Sequence, residues 1–292
     1  MPQTDAAGTR KACQTLFRGI LFFLAALVIV RFILELAGAP PTVTRYLSST
    51  AGLMLAGIYF AAIGPFKGAA MKWSQLVLPA LTFSAWTVGW VILFTFVAGI
   101  FRLGRSHFAE PEDFGNWGHL GIHIYHHAVE IIVIFVIVLL LMTVAHLLWR
   151  WPVTVAPGAM LGAFVVIRYW LEAMGLPLVR TAAWSTTVGI LVAGFYLGGV
   201  GRWLGLERSR QFLLPALVLG WAWRIWVFIA ILMSALIPYR THFFDPTLGN
   251  VPRRLAGGLV NTVVEGFIAG LIVWGIAVWI ACATTPEATE QN

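Results

Sequence analysis

The sequence predicts an all-α integral membrane protein of eight transmembrane helices, built as two parallel four-helix repeats about a pseudo-twofold axis along the membrane normal. Three observations predict this: a composition too apolar for a water-soluble particle, eight apolar stretches of spanning length, and a match of the chain to itself. Of 292 residues, 60% are hydrophobic and 11% are charged, where an ordinary soluble domain carries about 25% charged residues. The mean hydropathy is +0.86. So few charges do not coat a particle of this size in water, which excludes a soluble enzyme, a secreted disulfide scaffold and a nucleic-acid-binding domain. The net charge of +7 resides mostly in short loops between the apolar stretches, where Arg and Lys set topology and meet lipid headgroups. The expected partner is the lipid bilayer, not nucleic acid.

A cytoplasmic tail, 1–15, precedes the first stretch, 16–37. The rest of the first repeat (16–150) continues over 48–66, 76–101 and 119–148. The second repeat (151–283) contributes 155–174, 184–204, 212–237 and 255–281, and a short tail, 284–292, follows. Each stretch has roughly the 20 apolar residues that a bilayer core requires. Arg31 and Glu35 inside the first stretch, and Pro40 just after Ala37-Gly38-Ala39, argue against a cleaved leader and for a retained span. Connections carry turn formers: Gly38-Ala39-Pro40-Pro41, Gly64-Pro65 and Gly175-Leu176-Pro177. Only the loops around Phe114-Gly115 and over 246–252 are long enough for much shape of their own. A slight excess of Arg and Lys on one side places both termini in the cytoplasm of a bacterial-type inner membrane. Cys13 and Cys282 lie in no CxxC or lipidation pattern and read as free thiols.

The self-match supplies the repeat. Val30-Arg31-Phe32-Ile33-Leu34-Glu35 aligns with Ile167-Arg168-Tyr169-Trp170-Leu171-Glu172, and Ala56-Gly57-Ile58-Tyr59 with Ala193-Gly194-Phe195-Tyr196. After a one-residue slip, Leu78-Pro79-Ala80-Leu81 meets Leu214-Pro215-Ala216-Leu217. His107-Phe108 then meets His242-Phe243, and Glu130 meets Glu265. Shared Leu and Val mean little in a membrane protein, whereas shared Arg, Glu, Pro and His in one order are hard to obtain by chance. An even number of spans per unit makes the repeats parallel, as in one class of transporters. Gly194 with Gly198, and Gly266 with Gly270, are spaced for close helix contacts.

Charges inside the spans are the first candidates for function, because an ionised group at membrane depth costs about 3 kcal/mol or more. Arg31 with Glu35, and Arg168 with Glu172, are four residues apart and so one helical turn. Glu130 and Glu265 lie about three turns into the fourth and eighth spans with no opposite charge at helical spacing. Arg31 and Arg168 are their expected partners. Arg224 has no counterpart in the first repeat, which carries Val88 there, and is a candidate for a substrate contact or for pairing with Glu265. These seven residues form a candidate transport path at the repeat interface. The plainer alternative for each Arg–Glu pair is a self-neutralised ion pair that fixes helix rotation.

The second candidate is a histidine face. His119, His123, His126, His127 and Glu130 fall within an arc of about 100° on a helix turning ~100° per residue. His119 with His123, and His123 with His127, have the four-residue spacing at which two imidazoles share a metal. Neutral imidazole suits zinc or a transition metal, with Glu130 as ligand or hydrogen-bond acceptor. His107 and His242 are candidates to complete such a site. The strings HxxxH and HxxHH superficially resemble the histidine boxes of membrane-bound di-iron desaturases and hydroxylases. Those enzymes use several separate boxes, whereas here both strings share His123, and no family is assigned. Without metal, the face reads as an interfacial polar surface, a pH sensor or a proton relay towards Glu130.

The chain has no P-loop, no GxGxxG after a strand, no GxSxG and no CxxC. Three functions therefore remain. The first is movement of a small solute, ion or proton along the charged path. The second is a metal-dependent membrane oxidoreductase or hydrolase at the histidine face. The third is a non-catalytic subunit or scaffold acting with a partner subunit or as a homo-oligomer.

Overall fold

In a computed structural model, residues 6–63, 74–236, 241–243 and 251–284 are described. The Gly64-Pro65 turn, positions 246–250 of the second long loop and the end of the C-terminal tail lie outside them. The described residues form α-helices and short 3₁₀ turns, with no strand among them. Ten α-helices follow in order: α1 (Ala6–Leu36), α2 (Pro41–Thr44), α3 (Ser49–Ile63), α4 (Ser74–Ile100), α5 (Trp117–Leu147), α6 (Val155–Ala173), α7 (Leu178–Thr181), α8 (Thr186–Gly201), α9 (Ser209–Leu236) and α10 (Val251–Ala283). Among the described residues, eight segments are long and apolar enough to cross a membrane, with α2 joining α3 in the second and α7 joining α8 in the sixth. The chain is a multi-pass helical membrane protein. It divides into two compact units, Met1–Thr143 and Val144–Asn292.

In the first unit, α1 packs on α3 and α4 through aromatic rings at both ends. Phe17 stacks on Phe83 at 5.0 Å and meets the edge of Phe60 at 6.2 Å. Towards the other end, Phe32 stacks on Phe94 at 4.3 Å. Such pairs add about 0.5–1.5 kcal/mol each beyond simple area burial. Gly38, at φ +86°, stops α1: its N–H donates to the Glu35 carbonyl, and the Ala39 N–H donates to the Leu34 carbonyl. This is the left-handed C-terminal cap that glycine favours. Pro40 and Pro41 then start α2. The Ser48 hydroxyl accepts from the Ala51 N–H at 3.2 Å, opening α3.

The second unit ends α6 in the same manner. Gly175, at φ +85°, donates to the Glu172 carbonyl and Leu176 donates to the Leu171 carbonyl. Pro177 precedes α7, and Ser185 caps α8 by accepting from Val188 N–H. The sequence reading did not resolve α2 and α7, since a single helical turn led by proline is too short to show a period.

Packing in the second unit is by absence of side chains. A Cβ placed on Gly220 of α9 would overlap the Gly266 carbonyl and the Gly270 backbone of α10. A Cβ on Gly194 or Gly198 of α8 would come within 2.8 Å of Ile276 or 2.7 Å of the Ala277 carbonyl of α10. The expected small-residue contacts are therefore close helix approaches, to backbone at Gly198, Gly266 and Gly270 and to the Ile276 side chain at Gly194, the means by which helices associate where lipid is as apolar as Leu. Trp226 of α9 lies against Gly162 of α6, and its indole N–H donates to the Gly158 carbonyl at 3.1 Å.

Gly220→Ala is expected to lower stability by about 1–3 kcal/mol or more, as for an overpacked interior. A Cβ on Gly257 meets nothing within 4 Å, so Gly257→Ala should stay within about 1 kcal/mol of the parent. Thermal unfolding in one detergent compares them, and equal midpoints would contradict the backbone contact of α9 with α10.

Candidate functional site

Two buried glutamates, one in each unit, hold matching polar clusters. In the first unit, Arg31 and Glu35 lie one turn apart on α1, and the Arg31 Nε–H donates to Glu35 Oε1 at 3.1 Å. The loop after α4 brings the other donors. Arg102, at φ 51°, and Gly115, at φ 78°, turn this loop, and Phe108 buries its ring against Phe32 (5.7 Å) and Phe94 (5.9 Å). That anchor presents the neighbouring His107 to the end of α1. The His107 backbone N–H donates to Glu35 Oε2 at 3.1 Å, and its Nδ1 lies 2.6 Å from the same oxygen. An ionised carboxylate only accepts, so the Nδ1–H donates.

In the second unit the Arg168 Nε–H donates to Glu172 Oε1 at 2.9 Å. The His242 backbone N–H reaches Glu172 Oε2 at 2.8 Å and its Nδ1 lies at 2.6 Å. The Thr181 hydroxyl of α7 adds a fourth donor to Oε1 at 2.9 Å. Phe243, packed near Tyr169 at 6.1 Å, anchors His242, and the buried Thr241 hydroxyl bonds Ser234 at 3.2 Å. The glutamates are buried, while His107 is 44% and His242 29% exposed. Each unit thus links a buried acid to an imidazole that water reaches.

Of the other intramembrane charges, Glu130 and Glu265 do not take Arg31 or Arg168, while Arg224 makes the pairing with Glu265 that was one of its two expected roles. Arg31 and Arg168 are held by the glutamates on their own helices. Glu265 instead takes the buried Arg224, with Nη1 to Oε2 at 2.8 Å, and the Arg224 guanidinium lies over the Trp223 ring. Glu130 takes His127, whose Nδ1 lies 2.8 Å from Oε2, on an exposed face of α5.

The histidine face is organised by a residue that sequence reasoning missed. Asp113, in the turn before α5, is buried, and its carboxylate spans two imidazoles. Its Oδ1 lies 2.7 Å from His119 Nδ1 and its Oδ2 lies 2.8 Å from His123 Nδ1. The Glu110 N–H also donates to Oδ2 at 2.8 Å, closing the turn. The His123 and His127 rings lie 4.9 Å apart, and His126 is exposed beside Tyr125. Among the described residues, no three His, Cys, Asp or Glu are grouped as a metal site. His107 and His242, expected as candidates to join this face, are bound to Glu35 and Glu172. The sequence signal for Asp113 was slight: an acid three residues after Glu110, where a turn closes on its own side chain.

Fold and site together define a polytopic helical membrane protein with buried, hydrogen-bonded charges at the ends of its spans. No family model matches the chain, and neither a curated protein nor a solved structure matches it.

Burial pushes the Asp113 carboxyl up, but the imidazole bonds from His119 and His123 and the Glu110 N–H outweigh it and hold the group below its ordinary 3.8. A carboxyl depressed on folding contributes stability that is present above its unfolded pKa and lost as pH falls through its folded one. Melting temperature is therefore expected to drop on acidification below pH 3.8. In Asp113→Asn that acid-dependent part should shrink, and an unchanged acid limb would contradict the clamp.

Proposed function

We propose that the chain is a duplicated four-span unit that moves a small solute, ion or proton across the bilayer. The charged groups assigned to this movement are Arg31, Glu35 and Glu130 in the first unit and Arg168, Glu172, Arg224 and Glu265 in the second. One observation carries this reading: the same constellation, Arg and Glu one turn apart with a His bound twice to the Glu, recurs in each unit through the same atoms. Duplication for packing alone does not call for a buried carboxylate bound twice by a distant histidine at the same place in both units.

The chemistry follows from the hydrogen bonds. A proton reaching the exposed edge of His107 or His242 is one hydrogen bond from a buried carboxylate. Protonating that carboxylate removes the counter-charge of Arg31 or Arg168. A guanidinium released in this way must take another anion or rotate to water, so proton arrival and solute binding become linked.

In liposomes under a potassium diffusion potential, followed with an internal pH dye, Glu35→Gln combined with Glu172→Gln is expected to cut proton flux at least tenfold. The exposed Glu207→Gln serves as control. Undiminished flux in a folded double variant would remove both glutamates from the mechanism.

A second reading, a metal-dependent oxidoreductase or hydrolase, is favoured by the carboxylates behind the histidines. Asp113 and Glu130 take the Nδ1 atoms of His119, His123 and His127. A metal-binding imidazole is commonly oriented in this way, with its other nitrogen facing the ion. The reading predicts about one zinc or transition metal per chain by elemental analysis. That metal should disappear when His119, His123, His126 and His127 are all replaced by Ala. Metal-free protein, after purification without chelator and added metal, would exclude it.

A further inference from the structure

We propose that the end of α1 is a binding site for an oxyanion, a phosphate group, held by Arg31, Arg45, Arg105 and His107. A cavity of about 570 Å³ opens there, lined by these four residues together with Thr44 and Glu35. That volume lies within the range of small-molecule sites. The lining carries three guanidinium groups and a single carboxylate. Glu35 already accepts from Arg31 at 3.1 Å and from His107 at 2.6 Å, so its charge is not directed at Arg105. Arg105 is exposed and forms no ion pair among the described residues.

The backbone keeps the cavity open. Gly38 turns the chain at φ +86°, and a Cβ there would lie 3.6 Å from Arg105 Nη1. The guanidinium therefore rests in ordinary contact distance of the glycine turn. Pro40 and Pro41, also at the cavity wall, fix the chain into α2 and bring Thr44 and Arg45 round to the same opening.

Planar guanidinium forks match the paired oxygens of a phosphate better than a point charge does. The site stands at the end of a membrane span, where low-dielectric surroundings strengthen each charge–charge contact relative to open water. Two sources present this chemistry at that depth: the headgroup of an anionic lipid and free phosphate in the adjoining water. The proposal deepens the transport reading by naming an oxyanion as the substrate class at the Arg31–Glu35–His107 station. Binding is measured apart from flux, so either can fail without the other.

The full chain is placed in phosphatidylcholine nanodiscs and titrated with inorganic phosphate at constant ionic strength, beside Arg105→Gln and Arg45→Gln variants. A second arm compares retention of phosphatidylglycerol against phosphatidylcholine by native mass spectrometry of the same proteins. Phosphate binding weakened at least tenfold in Arg105→Gln supports the site with a soluble anion. No phosphate binding, but selective phosphatidylglycerol retention lost in Arg105→Gln, supports it with a lipid headgroup. Arg105→Lys, which keeps the charge without the fork, should retain part of the affinity. No binding in either arm, or equal binding by the parent and both Gln variants, overturns the proposal.

Discussion

A carboxylate taken out of water loses hydration worth several kcal/mol and must recover it from donors that the protein holds in place. Glu35 and Glu172 meet that demand, and much of the local architecture follows from how they do so. Each sits in the last turn of a span, beside an arginine on its own helix, and each needs a donor that its own helix does not supply. The missing donors come from a segment about seventy residues downstream, His107 for Glu35 and His242 for Glu172. Meeting that need fixes where the segment lies. The ring that follows each histidine, Phe108 or Phe243, supplies the apolar anchor that keeps it there.

The two units reach this arrangement by different packing. The first leans on aromatic rings, with Phe17, Phe60 and Phe83 at one end and Phe32, Phe94 and Phe108 at the other. The second leans on missing side chains, with α8, α9 and α10 drawn together at Gly194, Gly198, Gly220, Gly266 and Gly270. Ring clusters tolerate adjustment, because side chains rotate. Backbone contact does not, because the atoms that meet have no rotamer to change.

Composition and run length made the spans legible, and the four-residue spacing made the Arg31–Glu35 and Arg168–Glu172 pairs legible. The self-match brought His107 and His242 forward together but not their partners. Helical geometry links neighbours on one helix, whereas Glu35 and His107 are 72 positions apart and are joined by tertiary anchoring. Asp113 was invisible for a related reason. An acid in a loop reads as solvated until the turn that buries it is known, and that turn depends on Glu110 closing on the same carboxylate. Gly220 carries the tightest approach of α9 to α10, yet it is the one glycine of its helix and its spaced companion is Ala216, a fainter signal than two glycines.

The paired hydrogen bonds from each histidine to one glutamate oxygen act as a chelate. Backbone N–H and ring Nδ1 belong to the same residue, so once one has bound, the other adds its contact with little further loss of freedom. The reverse holds on release: freeing the ring alone leaves the amide in place, and freeing the amide alone leaves the ring. Departure of the segment from the helix end therefore requires both contacts to be broken. The mouth beside α1 is accordingly walled on one side by a histidine whose two contacts share a single glutamate oxygen.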